Sequence, residues 1–160
     1  MKRYIFSLLL GSYFVGWSVF PVSADWEFTK WGMSPEQVVQ ASNGQAHPHK
    51  EVGTEVGDTE PLLAQDWQSG PFLFSVWYFF STQGGEGLNK IQLKLKNTKL
   101  THEVLTDLKA KYGTPNSELK QDPIFSTLWR YSSDQIEYLR IAETEGPTII
   151  THTPLYNKGQ

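Results

Sequence analysis

The chain lacks cysteine altogether. This excludes a disulfide framework, a thiol nucleophile, a thiolate-ligated zinc or iron–sulfur centre, and a lipid anchor on an N-terminal cysteine. Charge is sparse and slightly acidic: 17 Asp and Glu against 14 Lys and Arg give a formal net charge of −3. Nucleic acid is therefore not an expected partner, since phosphate binding needs a basic face whose counterion release drives association. The same deficit weighs against an anionic membrane surface. No collagen or solenoid period is present, and glycine and proline stand at ordinary levels. Also missing are Gly-x-Ser-x-Gly, His-Glu-x-x-His and a glycine-rich loop leading into Lys-Ser/Thr, so no constellation of residues specifies a reaction. No cofactor is expected.

What is present begins with export. Lys2 and Arg3 precede an apolar stretch over residues 4–22, and Val22-Ser23-Ala24 places slim residues where a signal peptidase reads. Residues 1–24 are expected to be a signal peptide, leaving 25–160 as a single domain in the periplasm or outside the cell. The rival reading is a retained span, because the stretch approaches the roughly 20 residues a bilayer requires. Ser7, Gly11, Ser12, Gly16, Ser18 and Pro21 dilute it, and no stable membrane insertion is expected after cleavage. Loss of Lys2 and Arg3 removes two positive charges and takes the formal charge from −3 to −5. A domain of this size buries about two thirds of the surface its unfolded chain exposes, enough to fold without a staple.

Two helices are expected. Ser34-Pro35-Glu36-Gln37 reads as a capping box with proline in the first helical position, and Asn43-Gly44 supplies the left-handed stop. Further on, Thr101 is the expected cap of a second helix in which Val104, Leu105, Leu108 and Tyr112 share a face, ended by Gly113 and Pro115. Strands are expected near 62–67, over the dense apolar run 72–80, and over 90–96, where Ile91, Leu93 and Leu95 alternate with Lys90, Gln92, Lys94 and Lys96. The run 72–80 has Ser75 as its only polar member, which suggests a strand covered on both faces. Segments 125–131 and 135–141 flank a Ser-Ser-Asp hairpin, and 148–151 forms the last strand. Residues 45–60 and 114–122 lack apolar periodicity and read as long loops. The expected fold is α+β, with two short helices packed on one face of an antiparallel sheet in the order helix-strands-helix-strands.

The segments WGMSPEQVVQ (31–40), SGPFLFSVWYFF (69–80), GLNKIQLKL (87–95) and LKAKYGTP (108–115), with the lone tryptophan strand around Trp129, resemble a family of small secreted bacterial proteins of unknown function. More distantly, a helix-opening Gly-Met-Ser followed later by Tyr-Gly-x-Pro is similar to the fold shared by β-lactamase inhibitor proteins and the small lipoprotein of the outer-membrane barrel-assembly machinery. That resemblance implies a periplasmic protein-binding module without catalysis, and it carries no site residue over to this chain.

Among residues with chemistry, His47 and His49 straddle Pro48 with Glu51 and Glu55 nearby, a set of types that suits zinc. The extended backbone that Pro48 favours does not close a site around them, and no metal is expected. Gly84, Gly85 and Gly87 read as a hairpin turn rather than a phosphate cradle, since no helix comes after them. His102 and His152 are the candidate bases of an alternative reading, a small hydrolase or ligand-binding protein, although neither has a recognisable nucleophile beside it in sequence. Aromatic residues are the stronger feature. If helices cover one face of the 72–80 strand, the other needs a cover as well: the 45–60 loop, a second copy of the chain, or a partner. The expected function is that of an exported, non-catalytic binding module for another envelope or secreted protein. Its expected binding residues are Trp77, Trp129, Tyr78 and Lys94, within a rim of Lys90, Lys94 and Lys96.

Overall fold

The computed structural model describes residues 26–49, 59–81, 87–131, 133–142 and 146–155. The signal-peptide segment, Glu51, Glu55, Gly84 and Gly85 lie outside the described residues. Among those described, no helix is long and apolar enough to cross a membrane.

Helix α1 (Pro35–Ala41) starts where the sequence places it. The Ser34 hydroxyl accepts from the Gln37 backbone N–H at 3.3 Å, and the Gln37 side chain accepts from the Ser34 N–H at 2.8 Å. Two otherwise orphaned donors are thereby satisfied, with Pro35 contributing none. Asn43 and Gly44 come next at φ 54° and 79°, the left-handed pair that ends the helix. Because α1 has only seven residues, the cap is a large share of its local stability. Ser34→Ala is expected to lower unfolding free energy by about 1 kcal/mol, read as a shifted urea midpoint at unchanged slope.

Strands dominate the remainder of the chain. They are β1 (His47–Pro48), β2 (Thr59–Ser69), β3 (Phe72–Ser81), β4 (Leu88–Leu95), β5 (Ser117–Gln121), β6 (Ile124–Arg130), β7 (Asp134–Ile141) and β8 (Thr148–Pro154), with helix α2 (Thr101–Tyr112) between β4 and β5. All eight join one antiparallel sheet in the order β1-β2-β3-β4-β8-β7-β6-β5. Two four-stranded meanders therefore meet at the β4–β8 seam, with β1 and β5 at the two edges.

The α+β expectation is overturned. Strands hold 52% of the described residues and helices 20%, and the body of the chain runs strands, one three-turn helix, strands. The expected order helix-strands-helix-strands gave α1 the weight of a layer, whereas its two turns bury only Val38. Strand content was hidden where periodicity is absent. The expected loop 114–122 contains β5, whose five residues are all exposed, and 45–60 contains β1 and the first residues of β2. Such edge strands owe their state to backbone pairing with β6 and β2, not to an apolar face.

The sheet has one covered face. Leu63, Phe74, Val76, Tyr78, Ile91, Leu93, Ile150, Ile136, Tyr138 and Trp129 alternate onto it, and all are buried. Helix α2 lies over the β4–β8 region through Val104, Leu108 and Tyr112, which share an apolar pocket with Phe74, Leu93 and Ile150. Its start differs from expectation: Thr101 is the first helical residue, and Leu100 at the cap position makes no side-chain bond. A 3₁₀ turn at Thr98–Leu100 precedes it, and the Thr101 hydroxyl bonds the Thr98 carbonyl and the Thr148 hydroxyl, each at 2.7 Å. The helix is tied down further by the Tyr131 hydroxyl, which donates to the Tyr112 carbonyl at 2.8 Å.

The N-terminal arm covers the first meander. Trp26 packs edge-on against Trp67 at 5.1 Å between centroids and lies 6.0 Å from Tyr78. Arm and sheet are joined by backbone bonds from Gly32 N to Leu88 O and from Leu88 N to Met33 O, both 2.8 Å. Gly87 sits in this crossing, where a Cβ would lie 2.3 Å from the Met33 carbonyl oxygen. The Trp-Gly-Met segment and the glycine before β4 are thus two halves of one close contact. Trp31 adds a side-chain tie, its indole N–H donating to the buried Asp134 carboxylate.

Candidate functional site

Among the described residues, no helix lies on the opposite face of the sheet. Successive residues of a strand point to opposite sides, so away from the bulges at Pro61/Leu63 and Phe79/Phe80 the neighbours of core residues on β2 to β8 project here. One row across it, read from the pairing register, is Ala64, Trp77, Gln92, Thr151, Glu137, Leu128 and Ser117. The next is Asp66, Ser75, Lys94, Ile149, Leu139, Ser126 and Leu119. Ile141 and Ile124 pair directly beyond it. On its second side the run 72–80 is covered only at its end, correcting the expectation of cover on both: Leu73 is 39% exposed and Ser75 and Trp77 are half-buried, whereas Phe79 is buried beneath Lys90.

Of the expected binding residues, Trp77 and Lys94 lie on this open face. Trp77 is met by the edge of the His49 ring at 6.4 Å, so residues just after β1 give part of its cover. Lys94 is exposed beside Ser75 and Ile149. Lys90 stretches over the Phe79 ring at 4.0 Å, and partial burial lowers the pKa of its ammonium. Lys96 pairs with Asp66 at 2.6 Å. Tyr78 and Trp129 lie on the other side, in the core. Tyr78 is fully buried with its hydroxyl unpartnered, and burial raises its pKa far above the ordinary value. The Trp129 ring is buried beneath α2, its N–H donating to the Gly113 carbonyl at 3.0 Å.

The aliphatic part of the face went unread in the sequence. Leu62, Leu73, Leu119, Ile124 and Ile141 are the five exposed large hydrophobic side chains among the described residues; alternation places the last four on the open side, while Leu62 lies at the bulge between Pro61 and Leu63. Leu119, Ile124 and Ile141, with the half-buried Leu139 and Ile149, gather on the second meander, while the lysines and Asp66 occupy the first. The aliphatic side chains are thus concentrated on the second meander and the lysines on the first, with Leu73 and Trp77 among the lysines and Glu137 among the aliphatic residues. The Ile124–Ile141 pair was the available signal, since each residue ends a strand whose core alternates out of phase with it.

His102 and His152 are placed apart from this face. His102 is exposed at the start of α2 and lines a 380 Å³ cleft with Lys120, Asp122, Phe125 and Arg140. Arg140 and Lys120 flank the Phe125 ring at 5.2 and 5.8 Å, each within cation–π range of it. None of the residues lining the cleft carries a hydroxyl or thiol. His152 is buried in the core with Nδ1 unpartnered, and burial, aided by Lys111, lowers its pKa to about 3. At neutral pH it is uncharged and faces apolar rings under α2. Among the described residues no three His, Asp or Glu side chains gather as a metal site. No protein-family model, curated protein or solved structure matches this chain, so the site is read from its own geometry.

Proposed function

We propose that the chain is an exported, non-catalytic module that binds another protein of the cell envelope or its surroundings across the open face of its sheet. One observation carries the reading: four of the five exposed large hydrophobic side chains among the described residues, Leu73, Leu119, Ile124 and Ile141, fall on the uncovered side of an eight-stranded sheet whose other side holds the core. Folding alone rewards no such segregation, because each of these residues would raise solubility as a polar one. The partner suited to it presents aliphatic side chains toward Ile124, Ile141 and Leu119, and carboxylates toward Lys94 and Lys90. Trp77, large, half-buried and already held by His49, serves as the anchor among the lysines.

Capture tests this directly. The protein expressed from its complete sequence is crosslinked in envelope extract, alongside Trp77→Ala and an Ile124→Ser, Ile141→Ser double variant, with folding checked by circular dichroism. The expected result is one partner recovered by the native protein and reduced about tenfold or more with each variant, as for anchor residues of a binding surface. Equal recovery by folded variants would remove the open face as the site.

A further inference from the structure

The two edges of the sheet are built differently. At one end β1 is two residues long, and its second residue is Pro48, which has no N–H to offer a further strand. At the other end β5 presents five consecutive exposed residues, Ser-Glu-Leu-Lys-Gln, with no proline among them. One edge is blunted and the other is open.

The β5 sequence also complements itself. Turned antiparallel about Leu119, a second β5 places Glu118 opposite the partner's Lys120 and Lys120 opposite the partner's Glu118. Ser117 then faces the partner's Gln121, and Leu119 faces the partner's Leu119. Both charge pairs fall on the helix-bearing side, and the leucines meet on the open side. Leu119 is 51% exposed, the highest value among the large hydrophobic side chains described. Opposite charges directly across two strands stabilise pairing, and like charges oppose it. We infer that β5 is a self-association edge, through which two copies of this chain join into one continuous antiparallel sheet related by a two-fold axis at Leu119. This goes beyond the open-face reading: it concerns backbone pairing at the edge, and it stands or falls independently of any partner on the face. Its geometric consequence is that the aliphatic clusters of two open faces become contiguous across the axis.

Charge reversal provides the test. By sedimentation or light scattering, the protein expressed from its complete sequence is expected to be a dimer in concentration-dependent equilibrium with monomer. Lys120→Glu and Glu118→Lys each set like charges opposite each other twice, and each is expected to weaken self-association about tenfold or more. Mixed together, the two variants restore opposite charges in both pairs and are expected to form a heterodimer, which also shows that both are folded. The absence of native cysteine permits a second readout: Leu119→Cys is expected to give a covalent dimer on mild oxidation, and Leu73→Cys, away from the axis, is not. A native protein that stays monomeric at its solubility limit, or variants whose association is unchanged or not rescued by mixing, would overturn the proposal.

Discussion

Trp129→Ala is expected to destabilise the protein by about 3–5 kcal/mol, the loss typical of a large buried ring cut back to a methyl group. The ring is only 1% exposed, lies 6.0 Å from Tyr112, and donates its N–H to the carbonyl of Gly113, where α2 ends. Removing it opens a cavity between α2 and β6 and leaves a carbonyl at the helix terminus without its partner. Trp129→Phe largely separates these effects, because it keeps most of the ring volume and loses the hydrogen bond, so a cost of about 1–2 kcal/mol is expected. Trp77→Ala, on the open face, is expected to cost about 1 kcal/mol or less. Urea midpoints followed by circular dichroism order the three. A Trp129→Ala variant as stable as Trp77→Ala would contradict the assignment of the ring to the core. The contrast also governs any binding experiment: a variant lacking both tryptophans carries the core cost of Trp129 as well, so loss of binding in it would not distinguish a surface from lost stability.

These two tryptophans show where the sequence was readable and where it was not. The helix starts are written locally: the capping box at Ser34 needs four consecutive residues, and the α2 stripe Val104, Leu108, Tyr112 needs only its own spacing. The alternation of Ile91, Leu93 and Leu95 with lysines likewise marks the buried side of β4 without reference to another strand. In 72–80 both parities are apolar, and nothing within the run says which side the helices take. Trp77 and Tyr78 are adjacent in a strand, so they cannot share a face, and only pairing with β4 and β2 decides that Tyr78 enters the core. Trp129 is similar: its place depends on pairing with Ile136, on a strand beyond a hairpin. β5 lies at the limit, because an edge strand in water has no hydrophobic pattern to display.

His152 gives the second large effect, and its sign is set by a folded pKa that lies below the unfolded one. Burial is the main cause of the fall from 6.5 to about 3, with the Lys111 charge second. The charged groups facing the ring from the packed helix are Asp107 and Lys111, both at the rim of the pocket beneath α2. Well above pH 6.5 the imidazole is neutral in both folded and unfolded chains, so it contributes no pH dependence there. Between pH 6.5 and about 3 the unfolded chain takes up a proton that the folded one refuses, and stability falls with decreasing pH at about 1.4 kcal/mol per unit. By pH 4 the loss amounts to about 3 kcal/mol, or roughly 10 °C in melting temperature for a domain of this size. His152→Leu removes the proton site while keeping an apolar side chain under α2, and its melting temperature is expected to decline less from pH 7 to pH 4. The difference between the two profiles, rather than either level, isolates the histidine from carboxylates that titrate in both proteins. Parallel profiles would mean that water reaches the ring and that the core beneath α2 is open.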